Sequence, residues 1–359
     1  MALRLVGRTG SLCFAYNSLC ILYMKGYHVA EERLSISDVL VARKRITGHI
    51  APTPLRVSHW MSDLSQAEIW MKLENLQVTG SFKYRGALNA LTFAKERGYG
   101  KVFTASAGNH GLGVAEAARI TEREAVICLP KNVAPAKKQK LERYSVHLIE
   151  HGEDLEATEQ FAMRMAQEKK GLYVSPYNNR EVIAGQGTVG LEMYEIVPKL
   201  STLIVAAGGG GLISGIGLVA KVINPKVRIV GVVADASPTL KTAVQSGRVV
   251  PVVQQETIAD GIAGNIDPDT ITFPLVQEVV DEWVGIEERD IRQAVFDFLE
   301  HEGMLIEGAA AAAVAAISGK YITFKPRERV AVVVCGGNIS RADWRQIVGD
   351  ELLSKSSKG

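Results

Sequence analysis

Cysteine is sparse and unpatterned in this 359-residue sequence: Cys13, Cys20, Cys128 and Cys335 stand apart, with no C-x-x-C pair. That spacing argues against a disulfide framework and a zinc-type ligand set, and a reducing cytoplasm is the expected setting. Charge of one sign is not in excess either, since 41 lysines and arginines face 39 acids for a net charge of +2. Without a broad basic field, nucleic acid and anionic membrane are poor partners, and a small neutral or anionic metabolite fits better. No run reaches the ~20 apolar residues that cross a bilayer. The segment Leu12 to Met24 is apolar and follows Arg4 and Arg8. It reads as a weak targeting signal or as an added extension; the second reading is taken, and residues 1–34 are set aside from the fold. Internal repeats, long low-complexity tracts and separating linkers are also missing.

What is present is a large apolar share, 47% of the residues, in a chain long enough for a sizeable core and two or three structural units. From Ser35 the pattern is that of a capped amphipathic helix, with Ser37 and Asp38 leading into Val39, Leu40, Ala42 and Ile46. Short strand-like runs then alternate with helical stretches: 69–73, 101–105, 125–129, 147–149, 203–207, 228–233 and 330–335. β-Branched runs of this kind between amphipathic helices predict a doubly wound α/β architecture with parallel sheets. Such sheets bind ligands at the carboxyl ends of their strands. Polar or glycine-rich turns stand at those ends, at Ser106 to Gly111, Gly208 to Gly211 and Gly336 to Asn338. The alanine tract 309–313 predicts a tightly packed helix.

The run Gly208, Gly209, Gly210, Gly211 lies between a strand and a helix that begins near Leu212. Backbone N–H groups free of side chains can surround an anion there, helped by the helix N-terminus. The run lacks the lysine of a nucleotide-triphosphate loop and the spacing of the dinucleotide fingerprint. A bare phosphate ester and a simple tight turn both remain open on this run alone. Lys83 follows a glycine-serine turn at the threshold of a predicted helix over 84–97, a place where most lysines are only exposed helix starts. A Schiff-base lysine, a phosphate cradle and a ring-contacting amide are nevertheless the parts that pyridoxal phosphate requires.

The motifs Gly80-Ser81-Phe82-Lys83-x-Arg85-Gly86-Ala87, Ser106-Ala107-Gly108-Asn109-His110-Gly111, Gly185-Gln186-Gly187-Thr188, the glycines 208–211, Thr257 to Gly261, Glu307-Gly308 and Cys335-Gly336-Gly337-Asn338 occur in order. With them the chain resembles the fold-type II pyridoxal-phosphate enzymes of the threonine and serine dehydratase family, from about Ser35 to Val348. The resemblance implies a tryptophan synthase β-like fold of two doubly wound domains with the cofactor between them. Residues 35–100 and 179–350 would form the large cofactor-binding domain, 101–178 the small domain and 351–359 a tail.

The resemblance also assigns roles. Lys83 would bond pyridoxal 5'-phosphate, Phe82 pack on its ring, and Asn109 hydrogen-bond the ring 3-hydroxyl. Gly208, Gly209, Gly210, Gly211 and Leu212 would hold the phosphate, and Cys335 would face the pyridine nitrogen. Ser81, Ser106, Ala107, Gly108, Asn109 and His110 would line the substrate position, with His110 and Glu307 read as ordering their turns. The implied activity is loss of water and ammonia from a small β-hydroxy amino acid, L-threonine or L-serine, to give a 2-oxo acid. Dehydratases of 3-hydroxyaspartate or phenylserine type, a serine racemase and a β-replacement synthase are the enzymatic alternatives, and a binding protein without turnover is the alternative of another class. Racemase relatives carry a second serine where this chain has Ala107, which favours elimination. Residues 341–359 are too few for a regulatory domain, Asp235 alone is too little for a divalent cation, so no metal is expected, and a homodimer or tetramer is.

Overall fold

Residues 33–356 are described by the computed structural model; the Leu12 to Met24 segment, Cys13 and Cys20 lie outside the described residues. Ten strands form two sheets among them: β1 (Leu55–Val57), β2 (Glu68–Leu73), β3 (Lys101–Ala105), β4 (Glu124–Leu129), β5 (His147–Glu150), β6 (Leu172–Tyr173), β7 (Thr202–Ala206), β8 (Arg228–Ala234), β9 (Glu282–Ile286) and β10 (Arg329–Val334). The larger sheet has the order β1-β2-β10-β7-β8-β9, parallel except for the β1–β2 pair. The smaller sheet, β5-β4-β3-β6, is parallel throughout. This is the doubly wound α/β architecture expected.

Burial explains which strands the sequence displays. All five residues of β7 are buried, as are Val330 to Val334 of β10, because helices cover both faces and permit continuous β-branched runs. The three strands missing from the sequence reading differ in kind. β1 has three residues and β6 two, too short for any periodic signal. β9 closes the edge of its sheet and reads Glu-Trp-Val-Gly-Ile, with burial that is partial at three of five positions.

The first described helix runs Ile36–Ile46 and begins from its cap at Ser35 as expected. Ser35 is the N-cap, and its backbone N–H donates to Asp38 Oδ2 at 2.8 Å, so Ser35 and Asp38 form a capping box. Val39, Ala42 and Ile46 are buried as predicted, but Leu40 faces solvent. The helix predicted over 84–97 runs Lys83–Glu96, and the alanine tract lies in the helix Gly308–Ser318, buried from Gly308 to Ile317 with Ser318 partly exposed. The final helix, Arg341–Ser356, extends into the stretch read as a tail.

The Gly185-Gln186-Gly187-Thr188 motif serves packing. A Cβ on Gly185 would lie 2.6 Å from the Gly86 Cα, and one on Gly187 would lie 2.8 Å from the Gly215 carbonyl oxygen. Glycine at both positions lets the Arg180–Ile196 helix cross the Lys83–Glu96 and Gly211–Ile223 helices at backbone contact. Those two helices begin with the lysine and the glycine run, so this crossing fixes their separation.

Candidate active site

Lys83 is the first residue of its helix, and the turn before it is fastened to the end of β10. Phe82 donates its N–H to the Cys335 carbonyl at 3.1 Å, Gly337 donates to the Gly80 carbonyl at 2.9 Å, and Ser81 pairs with Gly336 in an antiparallel bridge. Gly80 has φ +75°, a conformation that side chains resist, and a Cβ there would meet the Asn338 amide at 2.9 Å. Lys83 and Cys335 are thereby brought to one place by backbone bonds.

The Lys83 ammonium donates to the Pro176 carbonyl at 2.9 Å and lies 5.2 Å from the centre of the Phe82 ring. Burial lowers its pKa from 10.5 to about 8, while Cys335 and Glu307 pull the other way. A neutral amine is therefore accessible near physiological pH. The Cys335 thiol is buried, and burial holds its pKa well above the ordinary value, so it stays a neutral group.

Two residues beyond Lys83, Arg85 is completely buried in a charge cluster. It donates from Nε to Glu74 Oε2 at 2.8 Å and from Nη1 to Glu192 Oε1 at 2.6 Å. Lys72 donates to Glu192 Oε2 at 2.5 Å and to the Thr53 carbonyl at 2.8 Å. Two cations and two anions are thus shared among β2, the turn after it and two helices. The lysine's helix is held at its first turn.

The glycine run lies at the end of β7 and the start of the Gly211–Ile223 helix. Gly210 is the N-cap, with φ +84° and no side-chain cap, and the first intrahelical bond is Ser214 N–H to the Gly210 carbonyl at 2.9 Å. The N–H groups of Gly211, Leu212 and Ile213 thus precede any helical partner. Tyr177 packs so tightly on Gly209 that a Cβ there would collide with its ring. Thr272 Oγ1 donates to the Gly209 carbonyl at 2.8 Å from behind the loop.

The second anion-type turn follows β3. Gly108 is the N-cap of the Asn109–Thr121 helix without a side-chain cap, and it donates to Ser106 Oγ at 3.2 Å. A Cβ on Gly113 would lie 3.1 Å from the Lys83 backbone, so this helix packs directly on the lysine. Ala107 packs with Leu112 and Leu141 in an apolar cluster. His110 Nε2 lies 2.9 Å from the Val174 carbonyl, and a carbonyl only accepts, so Nε2 carries the proton. Burial, with help from Lys83, lowers the His110 pKa to about 3, so the ring stays neutral.

Asn109 turns away from that cluster toward Glu307. Its Nδ2 lies 2.8 and 2.9 Å from the two Glu307 oxygens, and its Oδ1 accepts from Asn338 Nδ2 at 2.8 Å. Glu307 is buried and its pKa is raised to about 7 by burial. The short stretch Val174 to Tyr177, between β6 and the next helix, touches His110, Lys83 and Gly209 in turn. Sequence reasoning missed it, because a backbone carbonyl works without any side-chain signature; only the aromatic Tyr177 offered a signal.

The described helices include none long and apolar enough to cross a membrane. Among the described residues no cluster of three or more potential metal ligands occurs. A family model described as pyridoxal-phosphate dependent enzyme matches residues 46–336. The chain belongs to that family. An L-threonine ammonia-lyase of Thermotoga maritima is 36% identical over 326 residues, covering 90% of this chain and 80% of that protein. The catabolic L-threonine dehydratase of Escherichia coli is 33% identical over 318 residues, covering 88% and 96%. Maize serine racemase superposes with a TM-score of 0.81 at 29% identity, covering 90% of this chain and 99% of that one.

This pyridoxal-phosphate enzyme has the fold-type II architecture of those structures. Its own groups fit the cofactor. It offers a lysine with a lowered pKa, a helix N-terminus left uncapped by glycine, and the buried Ser81 hydroxyl, which has no protein partner.

Proposed function

We propose that this enzyme is an ammonia-lyase that converts L-threonine or L-serine to the 2-oxo acid and ammonia. The observation that carries the reading is Lys83, a buried lysine with a lowered pKa, together with Ala107, which has no proton to give where racemase relatives carry serine. The similarity to threonine ammonia-lyases supports it.

Lys83 would bond the cofactor aldehyde, with Phe82 against the ring, Asn109 near the 3-hydroxyl and Cys335 at the pyridine nitrogen. Gly208, Gly209, Gly210, Gly211 and Leu212 would hold the phosphate. When bound, the cofactor withdraws electrons from the amino acid's Cα and acidifies its hydrogen. Lys83 would take that proton as a neutral base, which its lowered pKa permits. Ser81, Ser106 and the N–H groups of Asn109 and His110 would receive the carboxylate at the helix N-terminus. Loss of the β-hydroxyl as water, then hydrolysis of the released enamine, accounts for the 2-oxo acid and one ammonia. Cys335 as a neutral partner at the pyridine nitrogen leaves the ring a weak electron sink, which suits β-elimination over longer-lived carbanion chemistry.

The two-sheet arrangement supports a large domain of residues 35–100 and 179–350 and a small one of 101–178. We place the enzyme in the cytoplasm, on its buried free thiols Cys128 and Cys335, and as a homodimer or tetramer, as its family resemblance implies. The test is incubation of purified holoprotein with L-threonine and L-serine, measuring 2-oxo acid and ammonia. Equal amounts of both products, lost in Lys83→Ala, are expected; D-serine without pyruvate would overturn the reading in favour of a racemase.

A further inference from the structure

We propose that Asn338 and Glu307 together set the amide orientation of Asn109, so that its Nδ2 stays on the Glu307 side with an N–H available to the cofactor ring. The inference rests on the reading of Asn109 as a ring contact.

The orientation follows from a chain of groups that can act in one sense only. The Thr79 carbonyl accepts from Asn338 Nδ2 at 2.8 Å, and a carbonyl cannot donate, so the Asn338 amide is fixed. The same Nδ2 donates to Asn109 Oδ1 at 2.8 Å. Asn109 Nδ2 must then face Glu307, whose two oxygens lie at 2.8 and 2.9 Å. Glu307 is held in turn by the Asn338 backbone N–H, which donates to Oε2 at 3.2 Å, and by its own N–H on the Gly336 carbonyl at 3.2 Å.

An amide is normally free to present oxygen or nitrogen, and these are almost the same shape. The Asn338 amide, itself fixed by the Thr79 carbonyl, removes that choice. With Oδ1 engaged by Asn338 and Nδ2 turned to a carboxylate, the amide cannot turn over, and the group it keeps on the Nδ2 side is a hydrogen to donate. An anionic ring oxygen takes a donor and rejects an acceptor.

The surrounding chain is shaped for this carboxylate. Gly336 carries no side chain where a Cβ would collide with Glu307. Glu307 is 6% exposed and is the residue before the buried Gly308–Ser318 helix, so its backbone is fixed on that side too.

The test uses cofactor-loaded protein without substrate and reads the visible absorption of the bound cofactor and its affinity. In Glu307→Gln a single amide oxygen replaces two, so the positions that accept from Asn109 Nδ2 and from the Asn338 N–H can no longer both be acceptors. The expected result is a shift of the band away from the form with an ionised ring oxygen, and about tenfold weaker cofactor binding. In an Asn109→Ala background, Glu307→Gln is expected to add nothing to either readout. An unshifted band in Glu307→Gln, or a shift of full size without Asn109, would overturn the proposal. Where the glutamine variant does not fold, Glu307→Asp is read instead, with a smaller shift of the same sign expected and again none beyond that of Asn109→Ala. Asn109→Ala alone leaving the spectrum unchanged would defeat the ring-contact reading underneath. Absence of threonine turnover alongside intact coupling would defeat only the assigned reaction.

Discussion

Arg85 and Glu192 meet through two hydrogen bonds, Nη1 to Oε1 at 2.6 Å and Nη2 to Oε2 at 2.8 Å, with the arginine completely buried two residues past Lys83. Arg85→Met would leave two buried carboxylates sharing the single charge of Lys72. Removing one member of a buried charge pair costs about 3–5 kcal/mol, and that loss is expected here in chemical denaturation of the apo-protein. Arg85→Lys should fall between, because an ammonium cannot make the forked contacts. Unchanged denaturation midpoints in both variants would contradict the cluster's role.

The lowered pKa of Lys83 has a kinetic signature in cofactor loading. Only the neutral amine attacks an aldehyde, and with a pKa of about 8 its population rises about tenfold from pH 7 to pH 9 and then levels off. Rates of reconstitution of apo-protein with pyridoxal phosphate, followed by absorbance, are expected to reach a plateau by about pH 9. A rate still climbing steeply at that pH would mean an ordinary lysine. The stability effect has a definite sign: the folded state disfavours the charged amine, so the penalty is present below about pH 8 and is relieved as pH rises toward 10.5.

Gly209→Ala drives a methyl group into the Tyr177 ring. Either the loop or the tyrosine must move, and phosphate contacts move with the loop. Cofactor affinity is expected to fall at least about tenfold, equivalent to about 1.4 kcal/mol, with far-ultraviolet circular dichroism unchanged. Gly209→Ala combined with Tyr177→Ala should recover part of that loss; no recovery would show that the collision is not the cause.

Ala107 packs with apolar residues at the turn after β3, where racemase relatives have serine. In Ala107→Ser a hydroxyl becomes available as a proton donor. With L-serine as substrate, chiral chromatography is expected to detect D-serine from the variant and essentially none from the unaltered protein. Equal D-serine from both would remove Ala107 as the determinant.

The α/β architecture was legible because the central strands β7 and β10 are buried on both faces and so consist of uninterrupted apolar residues. β9 was not, since an edge strand with one half-wet face loses that pattern. Lys83, the glycine run and Cys335 could be singled out by motif, and the structure brings the Lys83 turn and Cys335 together through backbone bonds. The hidden parts are of two kinds. Pro176 acts through a carbonyl that every residue possesses, and the pairing of Asn109 with Glu307 joins positions 198 residues apart, beyond any local pattern.

The stretch from Val174 to Tyr177 carries a constraint on how such a protein can diverge. One short stretch must satisfy three geometries together, a histidine, a lysine and a glycine loop, and any insertion or change of backbone path there disturbs all three. A change in which amino acid is accepted is therefore easier to make on other walls of the site than in this stretch.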